Sequence, residues 1–159
     1  MVNFCKGTIM NDKIISLFEN LWNQYVQVTP TALKINDLFV GNQHADIVTD
    51  HIALRTFNIK KVGLEKLAQH FLALGYKECG QYHFEEKKLF AKHYEHPDTH
   101  HPKVFISELL VEKFSIQLQE IVHELLARID DETVSQSDFL YSGRHWHIDY
   151  ATYSDLLQQ

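Results

Sequence analysis

Residues 50–57, DHIALRTF, set a carboxylate, an imidazole and a guanidinium close together in one short run. Apolar and polar residues alternate along it, the pattern of a half-buried strand. Side chains of a strand point alternately to its two faces. His51, Ala53 and Arg55 therefore share one face, and Ile52, Leu54 and Thr56 share the other. At about 3.3 Å per residue, the backbone positions of the imidazole and the guanidinium lie about 13 Å apart, with a small alanine midway. An imidazole can hold a metal ion, and a guanidinium can grip a carboxylate. Together they suit the binding of a small organic acid at a metal. A plainer role also fits: a hydrogen-bonded packing histidine, with an arginine whose counterion is a nearby Glu. What Arg55 faces, an open cavity or a carboxylate side chain, decides between the two.

Two other places carry candidate chemistry. Glu108 interrupts the apolar run FISELL at residues 105–110, with Ile106 and Leu110 on its own face. A carboxylate among aliphatic side chains is costly unless paired or metal-bound. Glu108 is thus a counterion for Arg55, a metal ligand, or a residue at an exposed strand end. His145-Trp146-His147 would put two imidazoles on one face of a strand, with Asp149 continuing that face. The segment is short and follows a loop, so packing or surface placement is the plainer reading. His93, His96, His100 and His101 crowd residues 92–102 without the spacing of a metal site, as a solvated turn would. Tyr82, Tyr94 and Lys92 could line a cavity, although their spacing does not single them out. No glycine-rich phosphate loop and no GxSxG elbow occurs, which argues against a P-loop enzyme or an α/β-hydrolase.

The elements that must position these residues follow from periodicity. Residues 1–10 read as a terminal extension. Asn11 or Asp12 can cap a helix whose apolar stripe is Ile14, Phe18, Leu21 and Tyr25. Thr29-Pro30 restarts the chain as cap and first-turn proline of a second helix, with Ala32, Ile35, Leu38 and Phe39 as its stripe and Gly41-Asn42 as its stop. This helical hairpin must pack on something. Strand 50–57 precedes a helix at 62–74 that ends at Gly75, and strands follow at 76–84, 89–95 and 103–111. The order is β-α-β-β-β. Ser115 can cap a long amphipathic helix, and the acidic run Asp130-Asp131-Glu132 starts another. Residues 145–150 read as a short extended piece. Thr152 with Asp155 resembles the cap of a final helix, which has no stop signal.

Composition bounds the rest. With 159 residues, 45% of them hydrophobic, residues 11–159 can form one α+β domain around one core. A net charge of −6 argues against nucleic acid as a partner, since that needs a basic stripe. No apolar run approaches a membrane span, and no signal peptide opens the chain. Cys5 and Cys79 lack CxxC spacing, so a reducing cytoplasm is the expected location. Eleven histidines keep metal binding in play.

At 50–57 (DHIALRTF) and 105–115 (FISELLVEKFS) the sequence resembles the 2-oxoadipate dioxygenase/decarboxylase family, long known only as a domain of unknown function. The likeness runs from about residue 14 to residue 157 and includes RHWHIDYATYSDL near the end. The β-α-β-β-β order also matches one module of the vicinal oxygen chelate architecture. The resemblance implies a mononuclear non-haem Fe(II) site of two histidines and a glutamate. There dioxygen converts a 2-oxo diacid to a shorter 2-hydroxy diacid with loss of CO₂. Carried over, His51 matches the first metal histidine, and Arg55 matches the arginine that binds the substrate carboxylate. Glu108 lies on the fourth strand, where related folds can carry a ligand. The family's second histidine and its glutamate belong to a second module and have no counterpart in residues 1–159. The chain is therefore expected to be the first half of a two-module protein, or to pair with a second copy as a homodimer.

Two other functions stay open on the same scaffold. One is a different metal-dependent activity, a hydrolase or isomerase, which would not need oxygen. The other is a non-catalytic binding or dimerising module, for which replacing His51 would change nothing.

Overall fold

Strand β1 (His51–Phe57) keeps the alternation read from its sequence, and everything that positions the site follows from where that strand lies. In a computed structural model, which describes residues 4–40 and 48–158, β1 forms one edge of a four-stranded sheet ordered β1-β4-β3-β2. The other strands are β2 (Lys77–Phe84), β3 (Leu89–Glu95) and β4 (Lys103–Leu109). β1 runs parallel to β4, whereas β4 with β3 and β3 with β2 are antiparallel. Helix α3 (Leu64–Leu72) follows β1 and completes the β-α-β-β-β order. Gly75 ends that helical segment at a φ of 96°, a conformation costly for any residue with a Cβ.

One face of the sheet is covered by helices. Ile52 and Leu54 of β1 lie beside Val104 and Ile106 of β4. Against them pack Leu64, Leu67, Ala68 and Phe71 of α3, Ile14 and Leu17 of α1 (Phe4–Val28), and Leu118, Val122 and Leu126 of α4 (Ile116–Ala127). Phe71 and Ile106 are completely buried. Each such side chain contributes roughly 1.5–3 kcal/mol by leaving water. Ser115 caps α4 as its sequence foretells, its hydroxyl accepting from the Leu118 amide at 3.2 Å.

Several boundaries depart from the sequence reading. Helix α1 starts at Phe4, so the expected cap at Asn11 or Asp12 lies inside it. Pro30 opens α2 (Pro30–Val40) as expected, but Ile35, Leu38 and Phe39 stay exposed. The expected stop at Gly41-Asn42 lies outside the described residues. Residues 144–149 form no strand. Asp149, rather than Thr152, caps the last helix α6 (Tyr150–Leu156), accepting from the Thr152 amide at 2.8 Å. Between α4 and α6 the acidic run does start a helix, the short α5 (Asp131–Ser135).

Candidate functional site

Among the described residues no helix covers the second face of the sheet. His51, Ala53 and Arg55 emerge there from β1, beside Lys103, Phe105 and Ser107 of β4. His93 and Glu95 of β3 continue the surface, and Tyr82 and Phe84 of β2 end it. His51 is 61% exposed, and its Nδ1 lies 2.8 Å from Asp50 Oδ2. A carboxylate can only accept, so Nδ1 carries the hydrogen, and in the neutral ring Nε2 is the nitrogen with the lone pair. His51 borders two hollows. One, of about 350 Å³, is shared with Tyr82, His93, Glu95 and Phe105. The other, of about 460 Å³, lies between β1 and α1 beside Trp22 and Tyr25.

Arg55 is exposed, and its Nε–H donates to Ser107 Oγ at a long 3.4 Å. That contact steers the side chain and leaves the two terminal nitrogens available. Among the described residues no carboxylate pairs with it. The plainer reading of Arg55, half of a structural ion pair, therefore finds no partner.

Glu108 is not that partner. It stands beside Thr56 in the parallel register, on the helix-covered face, while Arg55 stands beside Ser107 on the open one. Its Oε2 accepts from the Leu64 amide at 2.8 Å, at the first turn of α3. Gly63 supplies that helix with no side-chain cap of its own, so a carboxylate reaches over from β4 and meets the positive end of the helix. The sheet lies between Glu108 and His51, and the structure does not bring the two to one metal. The aliphatic neighbours Ile106 and Leu110 were the signal: an apolar strand face is the face that helices cover.

The remaining candidates are spread out. His145 stacks on Phe139 at 4.7 Å and its Nε2 meets Ser142 Oγ at 3.2 Å, while Asp149 is engaged as a helix cap. Of the histidine-rich stretch, His93 belongs to the open face. His96 packs edge-on against His101, and His100 pairs with Asp98. Lys92 lies on the helix side, clasped by Glu65 at 2.5 Å and Glu78 at 3.0 Å. The hydrogen bond that its ammonium donates to Glu65 is the main cause holding it well above the ordinary lysine range. Tyr94 is buried on that side too, its hydroxyl without a hydrogen-bond partner, and burial pushes its pKa up to about 12. Sequence reasoning did not single out His93 with Glu95, which the structure sets side by side on the open face. Their spacing of two on a strand was the available signal.

A β-α-β-β-β sheet with one bare face presenting an imidazole and a guanidinium defines a vicinal oxygen chelate-like module. A glyoxalase superfamily protein of Ralstonia eutropha JMP134 shares the fold, with a TM-score of 0.69 over 94% of this chain and 57% of that one at 19% identity. The sequence matches the 2-oxoadipate dioxygenase/decarboxylase family over residues 12–140, and the chain belongs to that family.

Among its relatives, the chloroplastic 2-oxoadipate dioxygenase/decarboxylase of Arabidopsis thaliana is 30% identical over 137 residues, covering 77% of this chain and 37% of that protein. A Shewanella frigidimarina NCIMB 400 protein whose structure carries the label hydrolase is 52% identical, with a TM-score of 0.86 over 91% of this chain and 56% of that one. Hydroxyglutarate synthase of Oryza sativa, solved in complex with 2-oxoadipate, is 26% identical, with a TM-score of 0.81 over 91% of this chain and 50% of that one. The chain thus spans between 37% and 56% of the length of these three relatives.

The metal that the family implies can be set against the residues present. His51 fits a ligand, with one ring nitrogen anchored on a carboxylate and the other free. Among the described residues no group of three or more His, Cys, Asp or Glu gathers to hold an ion. These residues offer one ligand rather than a set. Among them, too, no helix is long and apolar enough to cross a membrane.

Proposed function

We propose that this chain contributes the substrate-facing half of a non-haem Fe(II) dioxygenase/decarboxylase that acts on a 2-oxo acid such as 2-oxoadipate, with dioxygen as co-substrate. One observation carries the reading: His51, oriented by Asp50, shares an open strand face with an Arg55 that no carboxylate among the described residues neutralises. The likeness to a rice protein solved with 2-oxoadipate supports it. His51 would supply one metal ligand. The others come from a second module, joined in the same protein or brought by a paired copy. His51 would be this chain's share of the metal's hold, and a metal bound there would supply Lewis-acid and redox chemistry toward the 2-oxo acid and dioxygen.

The chain's own residues do the positioning. The carboxylate of Asp50 fixes the tautomer and the tilt of the His51 ring. Arg55, steered by Ser107, directs its fork at an acid oxygen, a bidentate contact that a lysine cannot reproduce. Ala53 between them leaves room for the ligand. The exposed, unpaired Cys79 accords with a reducing compartment such as the cytoplasm.

Oxygen consumption by the protein loaded anaerobically with Fe(II) tests this reading. Uptake dependent on both iron and a 2-oxo acid is expected, with one CO₂ released per turnover. Turnover of such an acid without oxygen would favour a hydrolase or isomerase on the same scaffold. No uptake across a panel of 2-oxo acids would remove the oxygenase.

A further inference from the structure

The hollow that His51 borders has a second wall. Tyr82 Oη lies 2.8 Å from His93 Nδ1, and His93 Nε2 lies 3.5 Å from Glu95 Oε1. Lys103 Nζ sits 3.1 Å from that same oxygen. The three groups form a continuous line from β2 to β3 on the open face, ending in the hollow.

The backbone is shaped around this line. The β2–β3 register shifts between Glu78 and Gly80, next to His93, and such bulges re-aim side chains beside sites. A Cβ at Gly80 would fall 2.9 Å from His93 Cε1, 3.0 Å from its Nδ1 and 3.2 Å from Tyr82 Oη. Only a glycine leaves the pair room there. Phe105 at 5.8 Å and Phe84 at 6.4 Å hold the Tyr82 ring in place.

We propose that Tyr82, His93 and Glu95 form a proton relay whose outer end, the Tyr82 hydroxyl, hydrogen-bonds an oxygen of the acid bound in the hollow. The proposal rests on the reading of the open face around His51 and Arg55 as an acid site, which the hollow adjoins at His51 and Ala53. With His93 neutral, Nε2–H faces Glu95 and Nδ1 accepts the phenolic hydrogen, so Tyr82 offers the ligand only lone pairs. With His93 protonated, Nδ1–H donates to Tyr82, and the phenol turns its own O–H to the ligand. When a ligand oxygen gains negative charge it takes the phenolic proton. Tyr82 then takes the Nδ1 proton and His93 returns to neutral. One proton passes from His93 to the ligand oxygen, and no electron changes hands.

An anionic ligand selects the protonated relay, so its binding takes up a proton. The charged and titratable groups facing His93 are Glu95 on its own strand, Lys77, Cys79 and Tyr82 on β2, Lys103 on β4, and Asp50, His51 and Arg55 on the β1 side.

Calorimetric titration of the Fe(II)-loaded protein with 2-oxoadipate, without oxygen and in buffers of different ionisation enthalpy, reads both affinity and proton uptake. The wild-type protein is expected to take up part of a proton near neutral pH. Tyr82→Phe keeps the ring packing and should bind about tenfold more weakly with no uptake. His93→Gln and Gly80→Ala should abolish the uptake as well. Arg55→Ala should lose most binding. Unchanged uptake in Tyr82→Phe and His93→Gln, with binding still dependent on Arg55, would overturn the relay and leave the acid site standing. A wild-type protein that binds no 2-oxo acid, or an Arg55→Ala variant that binds normally, would overturn the acid site and the relay with it.

Discussion

Asp50 Oδ2 and His51 Nδ1 lie 2.8 Å apart although the two residues are chain neighbours, because Asp50 just precedes the first residue of β1. The acid thus holds Nδ1 of a ring that stands on the open side of the sheet. A carboxylate hydrogen-bonded to the far nitrogen of an imidazole raises the affinity of the ligating nitrogen and fixes its direction. Asp50→Asn is expected to weaken metal binding by about tenfold to a hundredfold without unfolding the protein. A competition titration against a chromogenic chelator reads this directly.

Arg55 has only Ser107 Oγ at 3.4 Å to steer it. Arg55→Lys keeps the charge and loses the fork. KM for the 2-oxo acid should rise roughly tenfold or more, the scale of one charge-assisted hydrogen bond, while metal content stays constant. An equal KM in the two proteins would show that the guanidinium does not grip the acid.

Glu108 separates a structural role from a ligand role. Its carboxylate takes the Leu64 amide at 2.8 Å and faces away from His51. Glu108→Gln should lower stability by about 1–2 kcal/mol in urea unfolding, as the loss of a charged helix cap does. Metal binding should be unaffected. Loss of metal without loss of stability would put the residue back among the ligands.

Acid should destabilise the fold through His70. Burial first, and the neighbouring Lys66 second, hold its pKa below the ordinary 6.5. The unfolded chain then binds the proton more readily than the folded one. The histidine's contribution is complete above about pH 6.5 and is lost as pH falls through the lower folded value. His101 is shifted the same way, by burial and then by His96. The melting temperature should therefore drop between pH 7 and pH 5, and His70→Gln should flatten that drop.

How much of this could be read from the chain differs residue by residue. DHIALRTF carries its own alternation, so the shared face of His51 and Arg55 follows from sequence alone. The face of Glu108 does not. It depends on the register that seats Thr56 beside Glu108, a long-range pairing that local periodicity does not encode. Ser115 and Pro30 announced their helices because caps act on their own first turn. The final cap was placed three residues late, on Thr152 instead of Asp149, since both offer a side-chain oxygen ahead of the same turn. Tyr82 and His93 meet across two strands, over a glycine whose purpose shows only once the bulge is seen.

The most direct test of the central claim is a Co(II) titration followed by visible absorption. The d–d bands report ligand type, and the ion tolerates the oxygen that Fe(II) does not. The wild-type protein should develop nitrogen-ligated bands that shift when 2-oxoadipate is added, and His51→Ala should show neither the bands nor the shift. Identical spectra from the two proteins, with and without the acid, would contradict the assignment of the His51 ring as a metal ligand at the acid site.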